Sequence, residues 1–229
     1  MRVAVTTATD RASSQIQALE TRGLEPVPLP CIQINPGSDS DLARARSASS
    51  WCDWLVLTSP RAVRILWPDG GMPRARTAVV GPTTASAVEM AGGTVALVGD
   101  SGAADLVSRL APQVAGRSVL VPHAAGSDPA TVAGLEAAGA KVTAVPIYEA
   151  QPVAPAHDQV DAVLFGSPSA IDGWCRSRSL DDLVVAVIGA TTEHALVGRG
   201  RAADVVAPRP DFDSLADAIH SHPTPRKVP

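Results

Sequence analysis

Aromatic residues are scarce in this sequence, which has four Trp, two Phe and one Tyr among 229 residues. The hydrophobic core must therefore be built from Val, Leu, Ile and Ala, which supply most of the 45% of apolar residues. This composition is typical of buried parallel sheets. The length is sufficient for two domains of roughly 100 residues each.

Cysteine is also rare and charge is nearly balanced. Cys31, Cys52 and Cys175 are odd in number, far apart and without a CxxC pair, which excludes a disulfide framework and a cysteine zinc site. The five histidines show no ligand spacing on a credible helix, so we expect no metal. Nineteen basic and 23 acidic residues give a net charge of -4, which provides no electrostatic reason to bind nucleic acid or an anionic membrane.

Long hydrophobic runs are missing as well. No apolar run reaches the roughly 18 residues of a membrane span, and no signal-peptide region follows Met1. We therefore expect a protein of the reducing cytoplasm. The sequence contains no GxGxxG, Walker A or GxSxG motif, so the usual signatures of nucleotide binding and of a serine nucleophile elbow are lacking.

A repeated strand–turn–helix pattern is the main positive feature. The apolar run 55–57 leads to Ser59-Pro60, a typical helix N-cap followed by Pro at the first helical position, and the run 162–165 leads to Ser167-Pro168. The two serines differ by 108 positions (167 − 59 = 108). The same shift relates the turn with Thr83 and Thr84, 79–84, to the turn with Thr191 and Thr192, 187–192.

A second repeated segment has a different shift. Residues 2–5 and 23–30 recur at 118–121 and 139–146, a shift of 116 (139 − 23 = 116). One complete set of repeats lies between two Pro-containing connections, 30–40 and 148–158, and the other set is divided between 1–30 and 155–229. Pro26 and Pro28 indicate an edge strand. We expect the end of the chain, 220–229, to be disordered.

These patterns predict an α/β fold of two similar, flavodoxin-like domains, each a parallel sheet flanked by helices. The N-terminal βαβ segment would complete the C-terminal domain. The predicted boundaries are 1–34 plus 150–229 for one domain and 36–147 for the inserted domain, with two linkers between them.

The repeated turns also suggest a binding site. Four βα turns end in a capping Ser or Thr, and helix N-termini attract negatively charged oxygen. In open parallel sheets ligands bind beyond the carboxyl ends of the strands, so the cleft between the two predicted domains is the expected site. A single capping Ser or Thr is an ordinary way to begin a helix and does not by itself indicate a binding site. Among the histidines only His123 lies in a βα turn, and Tyr148, the sole tyrosine, could serve in chemistry or in hinge packing.

Five segments in order resemble the uroporphyrinogen-III synthase family. They are VLTSPRAV at 56–63, VVGPTTASAV at 79–88, GAKVTAVPIY at 139–148, FGSPSAI at 165–171 and VIGATTEHAL at 187–196. The resemblance covers nearly the whole chain. It implies a HemD-like duplication of α/β domains joined by two linkers, with the N-terminal fragment returning to the C-terminal domain.

The resemblance also implies a reaction without metal or cofactor. Hydroxymethylbilane, a linear tetrapyrrole with eight carboxylates, is closed to uroporphyrinogen III with inversion of ring D and loss of water. Departure of the terminal hydroxyl generates an azafulvene cation. The substituted carbon of ring D attacks this cation to give a spiro intermediate, which then fragments and closes again. The open chain can close alone to the uninverted isomer, so the enzyme must impose its folding. We expect a monomer, and a transient contact with porphobilinogen deaminase is a hypothesis.

Carried over by position, Tyr148 would assist departure of the hydroxyl. Residues of the helix starts and their neighbours would bind the substrate: Thr58, Ser59, Arg61, Thr83, Thr84, His123, Ser167, Ser169, Thr191 and Thr192. The chain departs from the family pattern at Thr7 and His123, where bacterial members often have Arg. Arg11 and Arg61 are therefore the nearby candidates for the cation that meets the carboxylates.

Two other classes of protein fit part of the sequence. One is a non-catalytic two-domain protein that binds an anionic small molecule, as periplasmic-type sensors do, although no signal peptide is found. The other is a sugar-nucleotide transferase with two Rossmann-like domains, which are usually longer and carry a Gly-rich diphosphate turn. Formation of the type III isomer from hydroxymethylbilane would distinguish a uroporphyrinogen-III synthase from both of these classes.

Overall fold

A computed structural model describes residues 1–222 of the chain. Its strands and helices follow one another in this order: β1 (Arg2–Val5), a 3-10 turn (Thr9–Arg11), α1 (Ala12–Glu20), β2 (Glu25–Pro28), β3 (Ile32–Pro36), α2 (Asp39–Ser49), β4 (Trp54–Leu57), α3 (Pro60–Leu66), β5 (Arg76–Val80), α4 (Gly81–Met90), β6 (Val95–Gly99), α5 (Ala103–Val114), β7 (Ser118–Ala124), α6 (Ala130–Ala137), β8 (Lys141–Pro152), β9 (Ala162–Phe165), α7 (Pro168–Trp174), β10 (Val184–Val187), α8 (Ala190–Val197), β11 (Val205–Val206) and α9 (Phe212–Ser221).

The chain forms two compact units. Unit 1 consists of Met1–Ile34 and the chain from Ala150 onward, and unit 2 is Asn35–Glu149. The alternation of strands and helices gives the predicted α/β fold with parallel sheets flanked by helices. Within residues 1–222, no helix is long and apolar enough to cross a membrane.

The sheet of unit 1 is parallel throughout, with the strand order β11-β10-β9-β1-β2. Counted along the chain of this unit the order is 2-1-3-4-5, which is the flavodoxin-like arrangement. Strand β2, with Pro26 and Pro28, lies at the edge as predicted. An edge strand tolerates proline because one side of its backbone needs no partner.

Both faces of the unit 1 sheet are covered. One face packs on α1 and α9, with Leu19, Leu215 and Ile219 fully buried. The other face packs on α7 and α8 around Phe165 and Trp174, whose rings meet edge to face with centroids 6.1 Å apart. The two largest fully buried side chains of the unit are thus in one layer.

Unit 2 repeats this order with its strands permuted. Its sheet runs β3-β8-β7-β4-β5-β6, so β7 and β8 take the places of β1 and β2, and β4 to β6 take the places of β9 to β11. The 116-residue shift relates the first pair of strands and the 108-residue shift the following strands. Each shift therefore belongs to one group of strands. Along the chain of unit 1 the pair of strands comes before the group of three, and along the chain of unit 2 the group of three comes before the pair.

The stretches predicted as connections are partly strands, which corrects the sequence interpretation. Strand β3 lies within the predicted connection 30–40, and β8 continues to Pro152, inside the predicted connection 148–158. Gly37 N–H donates to the Ile147 carbonyl at 2.8 Å and Val153 N–H donates to the Cys31 carbonyl at 2.9 Å. These bonds pair β3 and β8 in antiparallel order, so this sheet has one antiparallel edge strand.

Local sequence could not reveal this pairing, because Pro and Gly near both strands indicate loops while the partner strand is more than a hundred residues away.

A second correction concerns the end of the chain. His220 and Ser221 belong to α9 and not to a tail. Residues 223–229, also predicted to be disordered, lie outside the described residues.

Side chains reinforce the central strand pairs of both sheets. In unit 1 the buried Thr6 hydroxyl donates to the Leu164 carbonyl, which joins β1 to β9. In unit 2 the Asp53 carboxylate accepts 2.8 Å hydrogen bonds from the N–H and the hydroxyl of Ser118, which joins the starts of β4 and β7. These bonds lower the pKa of Asp53, so their contribution to stability is present above the unfolded-state pKa and is lost as pH falls through the lower folded value.

The position of β1 between β9 and β2 predicts how fragments behave. Residues 35–149 should melt cooperatively alone, because they retain the five parallel strands β4 to β8 and lose only most of the edge strand β3. Residues 150–229 should not, since loss of β1, β2 and α1 leaves β9 as an unpaired apolar edge and uncovers α9. Attaching residues 1–34 through a flexible linker should restore a cooperative transition, measured by circular dichroism and calorimetry. Cooperative melting of 150–229 without that segment would contradict the interleaved arrangement.

Candidate active site

Each sheet has one topological switch point, where the chain connections leave neighbouring strands in opposite directions. In unit 1 it lies between β1 and β9, and in unit 2 between β7 and β4. Ligands of open α/β sheets bind at the carboxyl ends of the strands at this point. Of the predicted site residues, Thr58 and Ser59 follow β4, His123 lies in β7 and Ser167 follows β9.

Ser59 and Ser167 cap the helices that follow β4 and β9, as predicted. Both have extended backbones, and the Ser59 Oγ accepts from Arg61 N–H at 3.2 Å while the Ser167 Oγ accepts from Ala170 N–H at 3.4 Å. Each hydroxyl oxygen thus satisfies a helix-start amide. Its own O–H can still donate to an anionic oxygen.

The four predicted threonines of the Gly-x-Thr-Thr turns are not caps, which corrects the prediction of four capping turns. They lie inside the first turns of α4 and α8, whose N-cap residues are Val80 and Gly189 and make no side-chain cap bond. The helix begins at or just after the glycine in each case. Thr83 and Thr191 are exposed, whereas Thr84 and Thr192 are buried.

A cavity of about 410 Å³ opens beside the switch point of unit 2. Its walls bring together Thr58 after β4, His123 in β7, and Ser127, Asp128 and Thr131 around the start of α6. The sequence predicted the first two as site residues and missed the last three. A short polar segment between a strand and a helix was the available signal.

His123 is fixed in this wall by its own turn. Its Nδ1 lies 2.9 Å from the Ala124 carbonyl oxygen and 3.1 Å from the Ser127 Oγ. A carbonyl only accepts, so Nδ1 carries the proton and donates to it. The remaining ring nitrogen, Nε2, is then the one available to a ligand, as an acceptor in the neutral ring or as a donor in the imidazolium.

Tyr148 is placed by an irregularity in the ladder of β7 and β8. His123 pairs with Pro146, but Ala124 pairs with Tyr148, so the register shifts by one residue. Such bulges re-aim side chains and are common beside active sites. Tyr148 is 7% exposed, its carbonyl accepts from Ala125 N–H at 2.7 Å, and the Arg61 guanidinium carbon lies 5.3 Å from its ring centroid.

The corresponding edge of unit 1 carries Ser167 and Ser169, both half-buried, and the exposed Thr191. Arg11 ends the 3-10 turn that follows β1 and is exposed. It is thus close in sequence to the end of a switch-point strand, as Arg61 is in unit 2. Thr7, which precedes this turn, is half-buried.

The thiols show no sign of activation. Burial raises the pKa of Cys31 to about 12 and also raises the pKa of Cys52 and of Cys175. A reactive cysteine needs the opposite shift, toward the thiolate. Among residues 1–222 no group of three or more His, Cys, Asp and Glu side chains is arranged to hold a metal ion. The chemical groups at these two edges are hydroxyls, backbone amides, arginines, His123 and the Asp128 carboxylate.

Comparison with known proteins agrees with the fold. The sequence model described as uroporphyrinogen-III synthase HemD matches residues 13–217, which is most of the chain. The chain belongs to the uroporphyrinogen-III synthase family. A relative named "Uroporphyrinogen-III synthase, chloroplastic", from Oryza sativa subsp. japonica, is 26% identical over 252 residues, which cover 99% of this chain and 83% of the rice protein.

Solved uroporphyrinogen-III synthase structures share the fold. A mutant of the Thermus thermophilus enzyme has a TM-score of 0.60 at 18% identity, covering 96% of this chain and 97% of that one. The Helicobacter pylori uroporphyrinogen-III synthetase has a TM-score of 0.65 at 16% identity, covering 95% and 97%. At these identities the likeness supports the architecture, and the roles of individual residues depend on the site itself.

The capping geometry predicts that removal of Ser and Thr hydroxyls at these helix starts will affect stability to different extents. Ser59→Ala and Ser167→Ala should each lower the free energy of unfolding by about 1 kcal/mol, because each removes a cap. Thr83→Ala, which removes an exposed hydroxyl that caps nothing, should change it by less than about 0.5 kcal/mol. Urea unfolding of the three variants measures this. An equal loss from all three would contradict the assignment of the caps.

Proposed function

We propose that this protein is a uroporphyrinogen-III synthase that closes hydroxymethylbilane to uroporphyrinogen III, with inversion of ring D and release of water. The observation that carries the proposal is the pair of Ser-capped helices, α3 and α7, at equivalent switch points of two sheets. Together with the first turns of α4 and α8, they offer amide and hydroxyl donors at both edges. A substrate with carboxylates on every ring can use donors at several points at once.

The acidic substrate is held mainly by neutral donors in this proposal. Ser59, Ser167 and Ser169, with the exposed Thr83 and Thr191, donate hydrogen bonds to acetate and propionate groups. Hydrogen bonds to charged groups contribute on the order of 1.5–3 kcal/mol each, so several of them replace a cluster of cations. Thr58 and the buried Thr84 and Thr192 would shape the walls. Arg11, Arg61 and His123 are the cationic or cation-forming groups at these edges.

Tyr148 is the proposed acid. Its phenol donates a proton to the terminal hydroxyl as the carbon–oxygen bond breaks, the electron pair leaves with oxygen as water, and the positive charge remains on the azafulvene. Ring D then attacks through its substituted carbon to give the spiro intermediate. The older bond from this carbon to the bridge of ring C breaks, which leaves an azafulvene cation on ring C, and the unsubstituted carbon of ring D closes on that cation. The carbon that forms the last bond loses a proton, and this proton restores the phenol, so the net change is loss of one water.

Positioning accounts for most of the proposed rate and for the choice of isomer. The free chain can close at the unsubstituted carbon without help, so acid catalysis alone does not select the type III product. Carboxylates fixed at several donors restrict the chain to a conformation in which the substituted carbon of ring D meets the cation. Held geometry of this kind can supply several kcal/mol of the barrier.

The cellular setting is part of the proposal. We propose a cytoplasmic monomer that needs no metal or cofactor. Because hydroxymethylbilane cyclises spontaneously, a transient contact with porphobilinogen deaminase would shorten its time in free solution. Size measurement by light scattering, alone and with the deaminase, tests both the monomeric state and the contact.

One assay decides the proposed function. Freshly prepared hydroxymethylbilane is incubated with the protein, and the type I and type III isomers are separated after oxidation. Type III should predominate, and EDTA treatment should leave the rate unchanged, since none of the proposed roles uses a metal. Only the type I isomer, at the rate of the protein-free control, would favour a protein that binds an anionic molecule without changing it. Loss in EDTA with recovery on adding a divalent ion would overturn the metal-free mechanism.

Tyr148→Phe tests the proposed acid. The variant keeps the ring and removes the hydroxyl, so folding should be unchanged while kcat falls by roughly 10²-fold, the size of a general-acid contribution. Single-turnover measurement of type III formation gives the rate, and thermal melting serves as the control. A wild-type rate in a folded variant would leave Tyr148 with a packing role beside the end of β7.

A further inference from the structure

Arg61 and Tyr148 are 87 positions apart in the sequence (148 − 61 = 87) and meet in the structure. Arg61 is the second residue of α3, directly after β4, and Tyr148 lies in β8. Strand β7 lies between these two strands, so the contact spans the switch point of unit 2. The guanidinium carbon is 5.3 Å from the ring centroid, within the range of a cation–π interaction.

The ring and the cation are both held by the backbone around them. The register shift in β8 and the bond from Ala125 N–H to the Tyr148 carbonyl fix the tyrosine backbone. Arg61 N–H donates to the capping Ser59 Oγ, which fixes the start of the helix from which the arginine extends. The arginine is half-buried and the tyrosine buried, so solvent screens their interaction only partly.

The location of Arg61 is unfavourable for the helix itself. The N-terminal end of a helix carries a partial positive charge, so a cation in the first turn is disfavoured there. A cation that lies over the ring of the proposed acid is a candidate for a role in the reaction.

We propose that Arg61 is a positioning residue that acts through Tyr148. The guanidinium fixes the phenol ring and stabilises the negative charge that develops on the phenol oxygen as its proton passes to the leaving hydroxyl. The step is a single proton transfer with cleavage of the carbon–oxygen bond: water leaves with the bonding electrons, and the phenolate remains beside Arg61 until the product carbon returns a proton. This inference rests on the proposed function.

A double-mutant cycle tests the inference. Arg61→Met removes the charge and keeps most of the aliphatic stem, and we expect it to lower kcat for type III formation about tenfold while KM changes little. In the Tyr148→Phe background the same substitution should change kcat less than about twofold, because no phenolate forms there. Arg61→Lys keeps a cation near the ring and should recover part of the loss.

Arg64→Met is the matched control, since Arg64 lies one turn further along α3, is exposed and has no proposed role. It should leave kcat and KM unchanged in both backgrounds. Two results would overturn the inference: a loss from Arg61→Met that is equally large with and without the Tyr148 hydroxyl, or a rise in KM at constant kcat, which would make Arg61 a binding group for a substrate carboxylate.

Failure of the proposed function gives a different result. In that case the wild-type protein forms no type III isomer beyond the protein-free control, and the cycle has no rate to compare. If the wild type is active, only the coupling between the two substitutions decides the role of Arg61.

Discussion

The pairing of two strands at each switch point is the constraint on which the rest of this structure depends. In unit 1, β1 pairs with β9 although more than a hundred residues separate them, and in unit 2, β7 pairs with β4. This pairing aligns the carboxyl ends of neighbouring strands at one edge of a sheet. It thereby brings the helix starts, the candidate acid and the candidate cations to that edge.

The same pairing explains why the two units can have the same sheet although their strands follow one another in a different order along the chain. A sheet of order 2-1-3-4-5 requires only that the strand pair and the strand triplet lie side by side. Unit 1 has its pair first along the chain, and unit 2 has its pair last. The antiparallel strands β3 and β8 carry the chain across the boundary between the units, so the connections themselves are hydrogen-bonded.

A site built from helix starts uses groups that the fold already needs. Ser59 and Ser167 cap helices, and their hydroxyls remain able to donate to an anion. The dipole of each helix adds to the attraction. Neutral donors at fixed positions suit a reaction whose main requirement is the conformation of a flexible, highly charged substrate, and they leave only one step that calls for an acid.

Local sequence was sufficient for the features that depend on local chemistry. The serine caps, the edge position of β2 and the two repeat shifts could be predicted because proline, serine and glycine have fixed backbone preferences. The role of the Gly-x-Thr-Thr segments was predicted wrongly, because the glycine starts the helix earlier than a capping threonine would.

Features that depend on partners far along the chain could not be predicted. The ladder of β3 and β8, the register shift opposite Ala124 and the contact of Arg61 with Tyr148 all join distant segments. The residues of the candidate site were thus identifiable by type, whereas their arrangement required the structure.

Amide chemical shifts on binding the product test most directly the proposal that the starts of α3, α4, α7 and α8 donate to carboxylates of the tetrapyrrole. Uroporphyrinogen III is added anaerobically to the ¹⁵N-labelled protein, and the shifts are followed by NMR. The account predicts saturable changes with one common dissociation constant at the first turns of α3 and α4 in unit 2 and of α7 and α8 in unit 1. Changes confined to one unit, or absent from all four helix starts, would contradict it.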